Sequence, residues 1–313
     1  MADLPTTFNE PVLLGVIGGT GLYHLETLTP VARLTVSTPW GHPSSPITIS
    51  RTKTGFPIAF LARHGVHHQF NPSEVPSRAN IAALKSIGVK AIIAFSAVGS
   101  LQEPIRPRDF VLPTQIIDRT KGIRPSTFFE GGMVGHVGFG DPFNETLAKV
   151  IAKAAPVLTE KGVKLHTKET AGKDLTLICM EGPAFSTRAE SHMYRSFGGS
   201  VINMSAIPEA KLAKEAEISY QMICMSTDYD AWREGEEAVT VETVVSHLKA
   251  NSENAHNFTA AILDHLEPEI LAGKVGTDLE GSMRFAVSTS PTQISRSMLE
   301  KMHFLLPGYW PLP

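Results

Sequence analysis

Short runs of apolar residues recur along the chain, separated by longer segments in which apolar and polar residues mix. Six of these runs lie at residues 12–18, 57–62, 90–98, 109–113, 175–180 and 219–227. They are mostly apolar and rich in β-branched residues rather than strictly alternating, a pattern typical of strands buried on both faces. The runs therefore predict a mixed or mostly parallel sheet covered by helices.

The segments between these runs predict helices. Residues 77–88 and 144–162 carry apolar side chains at helical spacing and stop at a glycine, as helices with a glycine C-cap do. Residues 186–198 predict a third helix, with Ser186 as its N-cap and Gly198 at its end. The alternation of strands and helices predicts an α/β fold.

Length and patterning predict a single domain. The 313 residues, 42% of them apolar, can fill a large core, and no repeat or low-complexity block divides them. We expect one domain over residues 12–313, with a central mixed β-sheet flanked by helices, and an N-terminal extension over residues 1–11. Residues 267–295 show mixed polarity and weak periodicity, which predicts a surface insertion.

Charge and cysteine content narrow the ligand class and the compartment. A net charge of -3 gives no general attraction for nucleic acid or anionic lipid, so we expect a small ligand and only local phosphate contacts. Cys179 and Cys224 lie in apolar runs, which predicts buried thiols in a reducing compartment. The first ten residues lack a signal-peptide pattern, and no apolar run is long enough to span a bilayer. We expect a cytoplasmic protein without a membrane partner, and leave a nuclear location open.

The first candidate motif is the glycine-rich sequence GVIGGTGL at residues 15–22, where a strand runs into three glycines and Thr20. Backbone N–H groups of consecutive glycines can converge on an anion, and a threonine adds a hydroxyl donor. A tight turn without a ligand is an equally good interpretation of this motif. A dinucleotide site is disfavoured, because His24 stands where its fingerprint requires glycine.

The second candidate motif, LARHGVHHQFNPSEVPSRANI at residues 61–81, follows a predicted strand and contains Arg63, His64, His67 and His68. An arginine beside a histidine at a strand end can bind a dianion. The histidine spacing also allows a metal site, but no nearby carboxylate or cysteine completes a ligand set. For His67 we favour a structural or surface role.

Two further strand ends carry small or acidic residues. IIAFSAVGSL at residues 92–101 ends in small side chains, which let a ligand approach the main chain, although a simple turn explains it equally well. In MSTDYDAW, Asp228 and Asp230 are two residues apart and would share one side of an extended segment. A solvated acidic turn is the alternative.

The segment MEGPAFSTRAESHMYRSFGGSVINMS, together with VIGGTG and ARHG in the same order, resembles the trimeric purine-nucleoside phosphorylase family and, within it, the methylthioadenosine-specific members. The resemblance covers residues 12–265, with a short further match at the C-terminus. Ala184 departs from it, since relatives carry a larger polar residue there. The resemblance implies a nucleoside phosphorylase-like fold and a homotrimer.

The resemblance also implies roles for individual residues. Those implied to bind phosphate are Thr20, Arg63, His64, Ser96, the main chain at Ala97, and Ser205. Those implied to bind the nucleoside are Phe185, Met204, Asp228, Tyr229 and Asp230. Those implied to set specificity are Ser186, Val241, Val245 and, from a neighbouring subunit, Leu305. No metal or cofactor is implied, because inorganic phosphate is the co-substrate.

The implied reaction is the phosphorolysis of S-methyl-5'-thioadenosine to adenine and 5-methylthioribose-1-phosphate, a step of methionine and purine salvage by a pentosyltransferase. Asp228 would protonate the purine N7, and Asp230 would bind the exocyclic amine. Within the family, adenine-selective members carry aspartates at these positions and 6-oxopurine enzymes an asparagine. Three alternatives remain open: a broader or 6-oxopurine nucleoside phosphorylase, a catalytically silent nucleoside-binding protein, and a metal-dependent nucleoside hydrolase.

Overall fold

The computed structural model describes residues 4–18, 28–159, 161–235 and 240–312. A mixed sheet of eleven strands runs through the described chain. Its strands are β1 (Leu14–Gly18), β2 (Thr29–Leu34), β3 (Ile47–Arg51), β4 (Pro57–Ala62), β5 (Ala91–Ser100), β6 (Phe110–Val111), β7 (Gln115–Arg119), β8 (Leu165–His166), β9 (Thr176–Met180), β10 (Gly199–Asn203) and β11 (Ser219–Asp228).

Helices cover both faces of this sheet. They are α1 (Ser77–Ser86), α2 (Glu145–Ala152), α3 (Ala155–Thr159), α4 (Lys168–Ala171), α5 (Arg188–Ser196), α6 (Ala206–Glu215), α7 (Val241–Ala250), α8 (Ser252–Leu271) and α9 (Arg296–Leu305), with a 3-10 turn at Pro291–Gln293. Each of the six apolar runs in the sequence contains a strand, and the predicted α/β class is confirmed.

Strand β5 is the centre of the sheet, where three neighbours meet. It pairs in parallel with β1 along its first half and with β11 along nearly its whole length, and antiparallel with β10 at its end. From this centre one arm continues through β1, β4, β3 and β2, and another through β10, β9 and β7. Strands β6 and β8 extend the sheet beyond β11.

Two apolar cores fill the space between sheet and helices. One includes Ile81 of α1, Leu212 of α6 and Met302 of α9. The other includes Ile151 of α2 and Phe258 of α8. Side chains of both cores come from the apolar strands, which explains why these strands show no polar alternation.

Both cysteines are buried and unbridged, as the sequence predicts. Burial raises the pKa of the Cys179 thiol to about 11 and that of Cys224 further still. Such thiols stay protonated, which keeps them unreactive.

The helix predicted over residues 144–162 is interrupted. Helix α2 ends at Ala152, and α3 begins at Ala155 with Pro156 in its first turn. A proline has no N–H to donate and its ring clashes with the carbonyl four residues earlier, so it is accommodated at a helix start and not within a helix. Residue 160 lies outside the described residues.

The predicted start of the third helix is wrong by one residue. Thr187, not Ser186, is the N-cap of α5, and its hydroxyl accepts a hydrogen bond from the Glu190 N–H. The Glu190 carboxylate in turn accepts one from the Thr187 N–H at 2.8 Å, which completes a capping box. The side chain that completes this capping box is the acidic residue three positions after the N-cap. Glu190 is three residues after Thr187, whereas the residue three positions after Ser186 is not acidic.

The segment predicted as a surface insertion is partly core. Residues 267–271 complete α8, so the predicted boundary is wrong. Farther on, the N–H groups of Gly281 and Met283 both donate to the Glu217 carboxylate, and Met283 is buried.

At the other end of the chain, the Pro5 carbonyl accepts a hydrogen bond from the Arg33 N–H at 2.8 Å. No helix in the described ranges is both long and apolar enough to cross a membrane.

Candidate functional site

A cavity of about 450 Å³ opens where β4, β9, β10 and β11 end, beside the second half of β5. The carboxyl ends of parallel strands are the usual ligand-binding edge of α/β folds. Its lining includes most of the predicted site residues: Arg63, His64, Ser96, Ala97, Phe185, Met204, Ser205, Asp228, Asp230, Val241 and Val245. Thr20 lies outside the described residues.

Arg63 follows β4 and is held rigidly. Its Nε and Nη2 atoms donate to the two carboxylate oxygens of Glu209 at 2.7 and 2.8 Å, and Nη1 donates to the Phe95 carbonyl at 2.8 Å. Tyr220 also donates to Glu209, at 2.7 Å. Sequence reasoning expected the guanidinium fork to face an anion, but Glu209 occupies that fork. Three of the five N–H groups of the guanidinium make these protein contacts.

His64 also lines the cavity, and its ring is oriented by the main chain. Nδ1 lies 2.9 Å from the Phe70 carbonyl and therefore donates to it. Burial, reinforced by the positive charge of Arg63, lowers the pKa of His64 to about 4, so the imidazole is neutral at pH 7. The His68 ring lies 4.5 Å from the His64 ring, while His67 is exposed.

Within the described ranges, no three His, Cys, Asp or Glu residues cluster closely enough to hold a metal ion.

Two serine hydroxyls form a second polar corner of the cavity. Ser96 Oγ and Ser205 Oγ are 3.1 Å apart, and the Asn203 side-chain amide donates to both, at 3.0 and 3.3 Å. Asn203 thus holds the two oxygens side by side. The Ser96 hydroxyl itself donates to the Ala97 carbonyl at 3.0 Å, so it would have to turn to donate to a bound anion. Sequence reasoning missed Asn203, although an asparagine at the end of an apolar strand was a signal for it.

Asp228 and Asp230 share the far part of the cavity, but not for the reason predicted. Strand β11 ends at Asp228, and Asp230 has a left-handed backbone with φ of 48°. The Asp230 N–H donates to Asp228 Oδ1 at 2.8 Å, which closes an Asx turn. The turn, and not strand alternation, brings the two carboxylates together.

Both carboxyl groups have raised pKa values. Burial is the main cause for each, and the negative charge of Asp230 adds to the effect on Asp228. Thr227 Oγ1 donates to Asp228 Oδ2 at 2.7 Å and acts in the opposite direction. At Asp230 the hydroxyls of Ser191 and Ser186 act against burial and lower the pKa. No described residue donates to its buried Oδ2 atom with good hydrogen-bond geometry, which favours a ligand that donates hydrogen bonds beside it.

Gly99 of β5 makes room for these carboxylates. A Cβ atom at this position would lie 3.0 Å from Asp228 Oδ1 and 3.3 Å from the Asp230 Cβ. Ser96 lies three residues earlier on the same strand, about 10 Å away at the usual rise of a strand. The cavity therefore has a hydroxyl and cationic part near Ser96 and an acidic part near Gly99.

An apolar wall joins the two parts. Helix α7 contributes Val241, Val244, Val245 and Leu248, which recur at helical spacing along one face, and Thr240 caps the helix by accepting from the Thr243 N–H. Sequence reasoning named the first and third of these residues and missed Val244 and Leu248, although the same periodicity indicated them. Phe185, 42% exposed, and Met204 also line the cavity.

Three predicted residues lie elsewhere. Tyr229 packs on Trp232, with ring centroids 5.9 Å apart, and does not line the cavity because it lies between the two inward-facing aspartates. Ser186 is buried behind the lining, with its hydroxyl 3.5 Å from Met180 Sδ. Leu305 is fully buried between α9 and the rest of its own chain, so the prediction that it reaches a neighbouring subunit is wrong in this structure.

Arg124 and Glu181, both buried, connect the loops around the cavity. Arg124 donates to the carbonyls of Met204 at 2.7 Å, Ile207 at 2.6 Å and Glu181 at 2.5 Å, and its Nε donates to the Glu181 carboxylate at 2.9 Å. Glu181 also accepts from the Lys121 N–H at 2.6 Å and from Ser73. Sequence reasoning missed this pair, because the partners are distant along the chain and Arg124 lies in a polar loop.

Comparison with known proteins agrees with this geometry. A profile of the phosphorylase superfamily matches residues 13–264. The S-methyl-5'-thioadenosine phosphorylase of Yarrowia lipolytica is 66% identical over 98% of this chain and 96% of its own length.

Solved structures agree as well. A methylthioadenosine phosphorylase from an antarctic soil metagenomic library is 38% identical, with a TM-score of 0.85 over 96% of this chain and 100% of that one. A mutant adenosine/methylthioadenosine phosphorylase of Schistosoma mansoni, in complex with methylthioadenosine, is 30% identical, with a TM-score of 0.79 over 88% of this chain and 99% of that one. Cavity, profile and relatives together identify this chain as a member of the phosphorylase superfamily, similar over nearly its whole length to S-methyl-5'-thioadenosine phosphorylases.

Proposed function

We propose that this protein is a pentosyltransferase that splits S-methyl-5'-thioadenosine with inorganic phosphate into adenine and 5-methylthioribose-1-phosphate. The observation that carries the proposal is the division of one cavity into a part lined by Arg63 and two serine hydroxyls and an acidic part, about 10 Å apart along β5. Relatives at up to 66% identity that carry this activity in their names support it.

The reaction develops charge at two places. As the N-glycosidic bond breaks, positive charge accumulates on the ribosyl carbon and negative charge on the departing purine. A phosphate near Arg63, Ser96 and Ser205 would stabilise the first and then bond to the carbon, so positioning contributes much of the rate. Asp228, whose pKa is raised by burial, holds a proton to higher pH than an ordinary aspartate and would supply it to N7, which neutralises the second.

The acidic part favours adenine over a 6-oxopurine. Adenine presents an exocyclic amine that donates hydrogen bonds, which the buried Asp230 carboxylate accepts. A 6-oxopurine would place a carbonyl oxygen against that carboxylate, and two acceptors repel each other. A catalytically silent nucleoside-binding protein would have no use for the hydroxyl and cationic part of the cavity.

The α7 wall supports methylthio as the 5' substituent, and Val245→Thr tests it. The substitution keeps the shape and adds a hydroxyl, so we expect the ratio of kcat/KM for methylthioadenosine to that for adenosine to fall about 10-fold. Steady-state assays with both nucleosides measure this ratio. Ser246→Ala, on the exposed side of the same helix, is the control, and an unchanged ratio in Val245→Thr would place the 5' substituent elsewhere.

The proposal itself is tested by adenine release from methylthioadenosine with and without phosphate. We expect turnover to require phosphate, to yield the sugar phosphate, and to be unaffected by a metal chelator. Inosine should be a much poorer substrate than methylthioadenosine. Equal turnover in phosphate-free buffer would contradict the proposal and favour a hydrolase.

Assembly and location are part of the proposal. The family resemblance supports a homotrimer, with no nucleic acid or membrane partner, and a cytoplasmic or nuclear location. Inorganic phosphate is a co-substrate, and the reaction as proposed uses no further cofactor. We also propose residues 12–313 as the single phosphorylase domain, with residues 1–11 as an N-terminal extension and a surface segment that begins after α8.

A further inference from the structure

We propose that Trp232 is the positioning residue that holds Asp230 in place, and so sets the affinity of the cavity for the exocyclic amine of a purine. Trp232 does not line the cavity, so it acts through Asp230 and not on the ligand. The inference rests on the proposed function, in which Asp230 accepts a hydrogen bond from that amine, and it names the residue on which the contact depends.

The backbone of Asp230 needs support from its surroundings. Its φ of 48° lies in the left-handed region, which residues other than glycine rarely adopt, although aspartate tolerates it better than most. The Asx turn to Asp228 fixes its N–H on the β11 side. On the other side the chain continues through Ala231 to Trp232, so the position of the carboxylate also depends on where this indole is anchored.

The end of β5 provides the anchor. The Nε1–H of Trp232 donates to the carbonyl of Ser100 at 2.8 Å. The preceding residue, Gly99, is the one that makes room for the carboxylates, since a Cβ atom there would lie 3.3 Å from the Asp230 Cβ. Two consecutive residues of β5 thus lie against Asp230 and Trp232, and the indole hydrogen bond fixes the carboxylate relative to the strand.

Helix α5 holds the same segment as well. Arg195, in its last turn, places the guanidinium carbon 3.5 Å from the centroid of the Trp232 ring and donates from Nη1 to the Leu101 carbonyl at 2.6 Å. One helical turn earlier, the buried hydroxyl of Ser191 lowers the pKa of Asp230. Residues four apart lie on one face of a helix, so this face of α5 meets Trp232 and Asp230 together.

Tyr229 and Arg233 tie down the rest of this segment. The Tyr229 ring meets the Trp232 ring edge-on, with centroids 5.9 Å apart. The guanidinium carbon of Arg233 lies 4.3 Å from the Tyr229 centroid, where a cation is attracted to the ring face, and its Nη2 donates to the Glu103 carboxylate at 2.7 Å. The acidic turn is therefore attached, through Trp232 and its neighbours, to the residues at and just after the end of β5.

Trp232→Phe tests the inference, because it keeps an aromatic ring for Arg195 and removes the N–H that reaches β5. Adenine and unsubstituted purine are the probes, since they differ only in the exocyclic amine. We expect the affinity for adenine to fall about 5-fold or more, as for the loss of one hydrogen bond, and the affinity for purine to stay within about 2-fold of the wild-type value. Isothermal titration calorimetry in the presence of phosphate measures both affinities.

Two further variants accompany this measurement. Trp40→Phe is the matched control, because the Nε1 atom of Trp40 has no hydrogen-bond partner among the described residues and Trp40 lies outside the cavity lining. It should bind both probes as the wild type does. Arg195→Lys keeps the positive charge but loses the planar group stacked on the indole, so it should weaken adenine binding about 3-fold and leave purine binding unchanged. It carries the test if Trp232→Phe does not fold.

A double-mutant cycle shows whether Trp232 acts through Asp230. Asp230→Gly removes the carboxylate at a residue type that adopts the left-handed region freely. In this background Trp232→Phe should change the affinity for adenine by less than about 2-fold, because the contact that it disturbs is already absent.

Three results would overturn the inference: unchanged adenine affinity in Trp232→Phe, an equal loss of affinity for adenine and purine, or an undiminished effect in the Asp230→Gly background. Failure of the proposed function would look different, since the wild-type protein would then release no adenine from methylthioadenosine with phosphate, whatever the variants bind.

Discussion

Asp228→Asn is expected to lower kcat for phosphorolysis of methylthioadenosine by about two orders of magnitude or more, because an amide cannot supply the proton that N7 needs. The substitution preserves size, so the Asx turn from the Asp230 N–H to the side-chain oxygen at position 228 can remain. KM for phosphate should change little, because the anion-binding part of the cavity is separate. Steady-state kinetics with varied phosphate measure both effects.

The pH profile provides a second readout of the same variant. The pKa of Asp228 is raised, so the acid form persists to higher pH than for an ordinary aspartate, and activity should fall as the pH rises through that pKa. Asp228→Asn should lose this alkaline limb. Asp264→Asn, at an exposed carboxylate on α8, is the control and should keep both rate and profile. A variant at position 228 with wild-type turnover would remove the general acid from the mechanism.

Glu209→Ala is expected to lower the free energy of unfolding by about 3–5 kcal/mol, because it leaves the guanidinium of Arg63 buried without its carboxylate. Both side chains of this pair are 2% exposed, so water cannot replace the lost partner. Tyr220 would lose its acceptor as well. Urea unfolding of the wild-type protein and of Glu209→Ala measures the difference in the free energy of unfolding.

An exposed ion pair is the control for this effect. Arg296 and Glu300 are 2.9 Å apart on the surface of α9, and Glu300→Ala should cost no more than about 0.5 kcal/mol. Phosphate should bind more weakly to Glu209→Ala if the variant folds, because Arg63 would lose its fixed orientation. A cost at Glu209 as small as that at Glu300 would show that the buried pair does not hold the cavity together.

The fold could be predicted because it depends on local patterns, and much of the cavity lining because its motifs resemble those of a known family. Apolar runs determine the strands, and strand ends place the side chains of Arg63 and Asp228 at one edge. Val241 and Val245 were expected from the family resemblance. They are one helical turn apart, and the same helical spacing also indicates Val244 and Leu248. Such features need only residues that are near one another in sequence.

Long-range polar pairing could not be predicted. Arg63 and Glu209 are 146 residues apart, and Arg124 and Glu181 are 57 apart, so no local pattern connects them. Their partners decide where a guanidinium points, which is why the fork of Arg63 faces a carboxylate of the protein. The prediction for Leu305 was wrong for a related reason. An apolar residue near the end of a chain can pack into the core of its own chain or against a neighbouring subunit, and the sequence does not distinguish the two.

The guanidinium of Arg124 has a consequence for any attempt to change the nucleoside preference of this protein. It joins the carbonyls of Met204 and Ile207, on either side of Ser205, to the loop after β9, so this part of the cavity lining is fixed to that loop. Helix α7 contacts the cavity without joining this network. Under the proposed function, substitutions on α7 alone should therefore change the preference for the 5' substituent and leave the Met204–Ile207 segment in place.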